Sequence, residues 1–339
     1  MSNLPIPPHY RPDRVAEVWR VPYQARSREA YAWRDQHGIA PAAEDALRMG
    51  LLLIDVQNTF CIPGFELFVG GRSGQGAVDD NRRLCEFIYR SLGHITQILA
   101  TLDTHTAAQI FHPVFWVNPE GEHPAPMTAI SAEDVDQGRW RVNPKIAAVS
   151  PRGADWMQNY ARHYAKALDL NHKYPLIIWP YHAMLGGISH ALVSAVEEAC
   201  LFHSFARGSP THFEQKGRNP LTENYSVLQP EVLMDQNGEA IASDNTAFLN
   251  RLLAFDRLII AGQAQSHCVA WTVDNLLSVL QAQRPEFVER VYLLEDCTSP
   301  VVAPGIDFTD QASSAFERFA AAGMHCVRST DPIKDWAGL

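Results

Sequence analysis

The chain of 339 residues is 46% hydrophobic and 19% charged, which gives it ample material for a globular core. Its formal net charge of −10 argues against a nucleic-acid-binding protein, because such proteins usually carry a basic face. It has no apolar run long enough to span a bilayer, no signal-peptide pattern and no C-x-x-C pair among its six cysteines, so we expect a cytoplasmic protein with no membrane partner.

The first segment, residues 1–47, is rich in Pro, Arg, Tyr and Trp and shows no strong strand pattern. We interpret it as an extension that packs on the main domain or on a second subunit, with short helices at Arg14–Gln24 and Arg26–His37. The run Gly50–Asp55 is continuously apolar and ends in a carboxylate, which is typical of a strand in a parallel sheet that is covered on both faces. Ligands collect at the C-terminal ends of such strands, so Asp55 is expected at the functional edge. A turn-forming Asp is the alternative.

A second predicted strand, Ile95–Leu102, follows a helix that is predicted for Val78–Leu92. The strand ends in Asp103-Thr104-His105. An Asp and a His two residues apart, just past a strand, can both face one metal ion. A simple hydrogen bond between them explains the pair equally well.

Strands and helices alternate along the rest of the chain, which predicts right-handed crossovers and a parallel sheet with helices on both faces. An insertion is predicted at about residues 111–174, and ordered insertions of this size usually shape a site or an interface. The predicted strands are Leu176–Trp179, Phe213–Lys216, Leu258–Ala261, Phe287–Leu294 and Met324–Arg328. The predicted helices are Trp156–Leu168, Ile188–Phe205, Asn245–Leu253, the segment from Cys268 onward and Phe308–Ala322.

Cys268 stands where a buried strand turns sharply through Gly262 into a helix. At a helix start, unpaired N–H groups and the positive end of the dipole favour thiolate over thiol. The same N–H groups could hold the oxyanion of an acyl-transfer intermediate. A small core residue is the alternative interpretation of this cysteine.

Three reactive groups follow three of the predicted strands, and the C-terminal ends of parallel strands share one edge of a sheet. Chemistry then makes Cys268 the nucleophile, Asp55 the base that takes the thiol proton, and Lys216 the cation beside both. A second cluster, which would be a three-ligand metal site with open positions, comprises Asp103, His105 and His182.

Five short segments stand in a fixed order along about residues 48–330, which we predict to be one domain. They are Leu-Leu-Ile-Asp55-Val-Gln-Asn-Thr-Phe60, Asp103-Thr-His105, Trp179-Pro-Tyr-His182, Lys216-Gly217 with Tyr225-Ser226, and Gly262-Gln-Ala-Gln-Ser-His-Cys268-Val269. The ordered set resembles the isochorismatase-like cysteine hydrolases and, among them, the nicotinamidases. The resemblance implies the isochorismatase-like hydrolase fold, an α/β fold with three α/β/α layers and a central, mostly parallel six-stranded sheet.

The resemblance also implies a site and a reaction. The triad would be Asp55, Lys216 and Cys268, and a cis peptide bond before Ala264 would let the N–H groups of Ala264 and Cys268 form the oxyanion hole. A divalent metal, usually zinc in nicotinamidases, would bind Asp103, His105 and His182 and hold the ring nitrogen of the substrate. The implied reaction cleaves the amide of a small carboxamide, such as nicotinamide, through a thioester. We also expect a homo-oligomer.

The chain differs from the usual family pattern in the substrate pocket. Ser266-His267 replaces the Asp-Tyr that often precedes the cysteine, and Thr104 stands where nicotinamidases usually have Trp. Trp116 or Trp140 of the insertion is expected to replace that Trp. The predicted pocket residues are Phe60, Trp116, Tyr225 and His267. These differences leave the choice of amide open.

Three other functions stay open at this point. One is an amidase for another small amide or ureido compound, with a metal site that is structural or empty. Another is vinyl ether hydrolysis of the isochorismatase type, which needs no cysteine nucleophile. The third is a non-catalytic family member that acts as a binding subunit. The complete triad of Asp55, Lys216 and Cys268 argues against the last two.

Overall fold

The structure is a computed structural model that describes residues 4–171 and 173–339. At its centre is a sheet of six strands, which are β1 Met49–Ile54, β2 Ile95–Asp103, β3 His212–Lys216, β4 Arg257–Gly262, β5 Val291–Leu294 and β6 His325–Val327. The order across the sheet is β6-β5-β4-β1-β2-β3, and every neighbouring pair is parallel. The predicted six-stranded sheet is therefore confirmed, and it is parallel throughout.

Helices cover both faces of this sheet, which confirms the three-layer α/β/α arrangement. The longer helices are α1 Tyr23–His37, α2 Gly76–Arg90, α3 Ala154–Leu170, α4 Ser194–Arg207, α5 Thr246–Leu252, α6 Ala270–Gln283 and α7 Thr309–Ala321. One-turn helices lie at Asn58–Cys61, Ala132–Asp136 and Pro144–Ala147, and the longest 3-10 segment is Pro285–Arg290. Among the described residues, no helix is both long and apolar enough to cross a membrane.

Strand β1 shows how the sequence divides between two cores. All six of its residues are buried, since strands flank it on both sides and helices cover both faces. Leu51 and Leu53 belong to the core that α2 and α4 close, whereas Leu52 and Ile54 belong to the core that α3, α6 and α7 close. The alternation follows from the two-residue period of a strand, and the double burial explains the continuous apolar run.

The N-terminal segment packs on α2 and α4 of the same chain. The backbone N–H of Trp19 donates to Ser194 Oγ at 2.9 Å, and Arg26 of α1 forms an ion pair of 2.7 Å with the buried Glu198 of α4. Helix α1 also runs along α4. The insertion lies on the other face. Two of its two-residue strands, Trp116–Val117 and Arg141–Val142, pair with each other in antiparallel fashion, and Ala129–Ile130 pairs with the strand Leu176–Ile177, which follows the insertion.

Candidate active site

Cys268 lies at the end of a tight connection between β4 and α6. Strand β4 ends at Gly262, where φ is +123° and a Cβ would stand 2.1 Å from the carbonyl oxygen of Ile54 in β1, so only glycine fits. The peptide bond from Gln263 to Ala264 is cis, as the resemblance implied, and Gln265–Val269 forms a π-helical turn that leads into α6. Cys268 is 7% exposed and lines a cavity, so its thiol does not face open solvent.

Asp55 follows β1 directly and is fully buried. Its φ of +48° is in the left-handed region, which Asp tolerates better than most residues. The Asp55 N–H donates to Thr101 Oγ1 at 3.0 Å, and the Thr101 hydroxyl donates to Asp55 Oδ1. Because Thr101 lies on the neighbouring strand β2, the sheet itself fixes the position of this carboxylate.

Lys216 ends β3 and carries its ammonium group to the same edge. Its Nζ lies 3.1 Å from Asp103 Oδ1, 2.7 Å from the Asn224 carbonyl oxygen and 3.6 Å from Cys268 Sγ. Asp55 Oδ2 forms an ion pair with the same Nζ at 3.0 Å. The structure thus brings the three predicted triad residues together around one ammonium group.

Burial and charge act in opposite directions on the pKa values of these groups. Burial would lower the pKa of Lys216, but the carboxylates of Asp103 and Asp55 outweigh it and hold that pKa well above its usual value. Burial raises the pKa of Cys268 well above its usual value despite the nearby cation, and burial also raises the pKa of Asp55. The resting thiol is therefore protonated, which differs from the thiolate that the helix start suggests, because desolvation dominates at this depth.

Histidine side chains converge with Asp103 next to the triad. His105 Nε2 lies 3.1 Å from Asp103 Oδ1, and His182 Nε2 lies 3.6 Å from Asp103 Oδ2, so the three predicted ligands meet. His112 brings a ring nitrogen within 4.8 Å of those of His105 and His182, and these three histidines could hold a metal ion. Sequence reasoning missed His112. Its signal is a second histidine in the loop that follows β2, seven residues after the first.

The tautomers of the two predicted histidine ligands suit a cation. Nδ1 of His105 lies 3.1 Å from the His182 carbonyl oxygen, and Nδ1 of His182 lies 2.8 Å from the Pro180 carbonyl oxygen, so each Nδ1 carries the proton and each Nε2 a lone pair. Burial lowers the pKa of His105, and its Nε2 has no hydrogen-bond partner within the described chain. Lone pairs that face the Asp103 carboxylate repel it unless a cation lies between them.

His112 fits the same cluster less well. Its Nδ1 accepts from the Gln109 N–H at 3.4 Å, which places the proton of the neutral ring on Nε2. Burial lowers the pKa of His112 to about 3, so the ring is neutral. It would need the other tautomer to bind a cation through Nε2. We therefore regard His112 as an accessory ligand beside the predicted set.

Gly217 makes room for both clusters. Its φ is +80°, and a Cβ there would stand 2.7 Å from Asp103 Oδ1 and 3.1 Å from His105 Nε2. Its carbonyl oxygen accepts from Gln109 Nε2 at 2.7 Å, which ties the loop after β3 to the loop after β2. A side chain at this position would push the carboxylate away from the histidines.

A narrow cavity of about 30 Å³ lies beside the triad. Of the predicted pocket residues, Phe60, Tyr225 and His267 line this cavity. Sequence reasoning did not select five further lining residues, which are Leu67, Val69, Trp179, Glu223 and Val301.

Trp116 lies elsewhere. It is fully buried in the core beneath the insertion, and its indole N–H donates to the Ile110 carbonyl oxygen. The tryptophan at the cavity wall is Trp179, whose indole N–H donates to the Tyr225 hydroxyl at 3.1 Å. Trp179 follows the strand Leu176–Ile177, which pairs with the insertion, so the insertion contributes to the wall through this strand.

Glu223 is the acidic group of the cavity wall outside the predicted clusters. Its Oε1 accepts from the Asn224 N–H at 2.9 Å. Burial raises the pKa of Glu223 to about 8, and the nearby Asp103 carboxylate acts in the same direction. Glu223 is therefore largely protonated near neutral pH and can donate a hydrogen bond there.

No protein-family model and no curated protein sequence matches the chain. Solved structures do match. The yeast nicotinamidase Pnc1p aligns with a TM-score of 0.50 and 18% identity over 82% of this chain and 99% of that chain. A nicotinamidase from Acinetobacter baumanii (TM-score 0.48, 17% identity, 85% and 99% covered) and a zinc complex of a pyrazinamidase from Pyrococcus horikoshii (0.43, 16%, 83% and 99%) align more loosely. The likeness to the yeast structure shows a shared fold.

Proposed function

We propose that this chain is an amidase of the isochorismatase-like cysteine hydrolases, with nicotinamide as the first candidate substrate. The observation that carries the proposal is the surroundings of Lys216. Its Nζ lies 3.0 Å from Asp55 Oδ2 and 3.6 Å from Cys268 Sγ. A carboxylate that can accept a proton and a thiol that can donate one thus flank a single fixed cation, and Cys268 lines the cavity.

Acylation begins when Asp55 accepts the thiol proton and Cys268 Sγ attacks the carbonyl carbon of the amide. The Lys216 cation stabilises the thiolate as it forms, which offsets the cost of charge in a buried site. The oxyanion is held by the N–H groups of Ala264 and Cys268. When the intermediate collapses, the C–N bond breaks, and Asp55 passes its proton to the leaving nitrogen. Ammonia leaves, and the acyl group remains on Cys268 as a thioester.

Deacylation uses the same groups in reverse order. Asp55, again unprotonated, takes a proton from a water molecule whose oxygen attacks the thioester carbon. The C–S bond breaks, and the proton returns to the Cys268 sulfur. The sum is one amide and one water converted to one carboxylic acid and ammonia. No oxidant or reductant is involved.

A divalent metal at the histidine cluster belongs to this proposal. Asp103, His105 and His182 would hold it, with His112 as an accessory ligand, and two imidazoles with a carboxylate suit zinc. When bound, the metal supplies a Lewis acid that can take a ring nitrogen or other donor atom of the substrate. Asp103 would serve both clusters, because its Oδ1 also accepts from Lys216 Nζ.

An ammonia-release assay of the purified protein tests the proposal. The substrates are nicotinamide, benzamide, which lacks the ring nitrogen, and a small ureido compound, and the metal content is measured on the same sample. Nicotinamide is expected to react fastest. Cys268→Ala should abolish turnover, whereas Cys326→Ala, at a half-buried thiol in β6, should leave it unchanged.

Each other outcome of the assay has a definite meaning. Turnover of the ureido compound alone would replace the carboxamide with that substrate class. Turnover of nicotinamide at the wild-type rate by Cys268→Ala would contradict the thioester route. An absence of turnover with every substrate, in a protein that has been loaded with metal, would favour a binding subunit.

A further inference from the structure

The shortest polar contact of the Lys216 ammonium group is to a backbone atom. Its Nζ donates to the Asn224 carbonyl oxygen at 2.7 Å, compared with 3.0 Å to Asp55 and 3.1 Å to Asp103. Asn224 lies in the loop after β3, outside any helix or strand. The element that fixes this loop therefore also fixes the cation.

Most of the bonds that hold residues 223 and 224 come from nearby in the chain. The Asn224 N–H donates to the Glu223 side chain at 2.9 Å, and the Glu223 carbonyl oxygen accepts from the Glu231 N–H at 2.9 Å. The Glu223 N–H is different, because it donates to the hydroxyl of Tyr164 at 3.1 Å. Tyr164 belongs to α3 of the insertion, 59 residues earlier in the chain.

Helix α3 offers the loop a rigid support. Tyr164 is fully buried, and Tyr160, one turn earlier on the same face, donates from its hydroxyl to the Leu221 carbonyl oxygen at 2.8 Å. Both rings belong to the core that this helix shares with the sheet. Two hydroxyl groups one helical turn apart thus bind two backbone groups that are two residues apart in the loop.

We infer that α3 is a positioning element of the active site and that Tyr164 is a positioning residue for Lys216. The Tyr164 hydroxyl accepts from the Glu223 N–H and so fixes the backbone next to Asn224, whose carbonyl oxygen then holds Nζ beside Asp55 and Cys268. This inference rests on the function proposed above only for the identity of the reaction that the site catalyses. The positioning itself acts on the thiol and can be measured without a substrate.

The test compares Tyr164→Phe, which removes the hydroxyl and keeps the ring, with a matched control. Tyr292→Phe is that control, because the Tyr292 hydroxyl also donates to a backbone carbonyl, that of Ala337 at 2.8 Å, from a buried ring in β5. The rate of Cys268 alkylation by iodoacetamide is measured at fixed pH, with Cys268→Ala as background. Tyr164→Phe should slow alkylation about three- to tenfold, the range expected for the loss of one buried hydrogen bond, and Tyr292→Phe should not slow it.

A core tyrosine without a positioning role would give a different pattern. Tyr164→Phe would then lower Tm but alkylate at the wild-type rate, and this result overturns the inference. In the amide assay, the positioning role predicts a fall in kcat with KM unchanged, since Tyr164 is not among the residues that line the cavity. If wild type hydrolyses no amide while Tyr164→Phe still slows alkylation, the proposed function fails and the positioning role stands. Should Tyr164→Phe not fold, Tyr160→Phe replaces it under the same criteria.

Discussion

A single carboxylate, Asp103, joins the triad to the histidine cluster. Its Oδ1 lies 3.1 Å from Lys216 Nζ and also 3.1 Å from His105 Nε2. Burial alone would raise the pKa of Asp103, but the Lys216 ammonium group opposes it, and the pKa lies well below its usual value. Asp103 is therefore an anion in the folded protein. A change at this residue should disturb the ammonium group and the metal ligands together.

Asp55 and Cys268 should behave as one unit in kinetics. Asp55→Asn keeps the shape of the side chain but removes the proton acceptor, so we expect kcat/KM to fall about 100-fold or more. Once one member of such a catalytic unit has been removed, removing a second member lowers the activity little further. In the amide assay, the double variant Asp55→Asn, Cys268→Ala should therefore be no slower than the slower single variant. A loss equal to the product of the two single losses would show that the residues act independently.

The histidines should differ in their effect on metal affinity. His182→Ala removes a ring whose Nε2 already carries the lone pair, so we expect zinc affinity to fall more than about tenfold. His112→Ala should cost less, because this ring must change tautomer to bind. Competition with a chromophoric chelator measures both affinities, and His163→Ala, at a half-buried ring of α3 that bonds to the Met234 carbonyl oxygen, is the control. A larger loss for His112→Ala than for His182→Ala would reverse the assignment of predicted and accessory ligands.

One physical reason explains why the sequence predicts several site residues at the same edge of the sheet. Asp55 and Cys268 follow strands of buried residues, Lys216 is the last residue of a strand at the border of the sheet, and parallel strands end at one edge. His112 and Glu223 lie in loops instead. The path of a loop depends on tertiary contacts, such as the one from Tyr164 to Glu223, and no periodicity in the sequence encodes it.

At the scale of the element, the limits of prediction have local causes. The helix expected at Ile188–Phe205 begins at Ser194, because Ile188–His190 forms a 3-10 turn and the Val193 N–H bonds to the Val56 carbonyl oxygen. The strand expected from Phe287 begins at Val291, since Pro285 starts a 3-10 segment. These bonds move the ends of the two elements, whereas the helix expected at Arg14–Gln24 does not form, since a 3-10 turn at Pro12–Arg14 is followed by irregular chain until α1 begins at Tyr23.

The close approach of β1 and β4 makes Gly262 irreplaceable. A Cβ there would stand 2.1 Å from a backbone oxygen that cannot move aside without breaking the sheet. Gly262→Ala should therefore destabilise the fold by more than about 4 kcal/mol and yield no soluble protein. Gly208→Ala is the matched control, since Gly208 also has a positive φ of +63° but has nothing within 4 Å of its Cβ position. It should cost about 1–2 kcal/mol in urea unfolding. Similar losses in the free energy of unfolding for the two variants would mean that the protein relieves the clash at position 262.

The contact between α2 and the turn after β4 should make stability depend on pH. Asp80 of α2 accepts from Gln263 Nε2 at 2.8 Å. Burial raises the pKa of Asp80 to about 6 from 3.8, although Ser299, Gln263 and Arg83 oppose the shift. Between about pH 4 and pH 6, the folded chain keeps a proton on this carboxyl group that the unfolded chain has lost. The resulting stabilisation is full below about pH 4 and is lost as the pH rises through about 6.

Asp80→Asn isolates this effect, because the amide cannot ionise. The wild-type free energy of unfolding, relative to that of the variant, should fall by on the order of 2–3 kcal/mol between pH 4 and pH 7. Urea unfolding of both proteins at four pH values in this range measures the difference. Parallel stability profiles would show that the pKa of Asp80 is the same in the folded and unfolded chains.

For the molecule as a whole, the extension and the insertion cover opposite faces of one sheet. Residues 4–47 close the core on α2 and α4, whereas the insertion, through α3, closes the core on α6. The candidate site lies at the strand ends, and Tyr174 of the insertion contacts two residues of its wall, Tyr225 and His267, whereas neither Arg26 nor Glu198 lines the cavity. We therefore expect the extension to govern stability and the insertion to govern the site.

The ion pair between Arg26 and Glu198 tests the first half of this division. The two side chains are only 15% and 7% exposed, so Arg26→Ala would leave a buried carboxylate without its partner. We expect a loss of about 3 kcal/mol in the free energy of unfolding. Adding Glu198→Gln should restore part of it, because the buried charge is then gone. Arg34→Ala, which breaks an exposed pair with Asp35, should cost less than about 1 kcal/mol. Cys268 alkylation should be unchanged in all three variants, and a slowed thiol would show that the extension also supports the site.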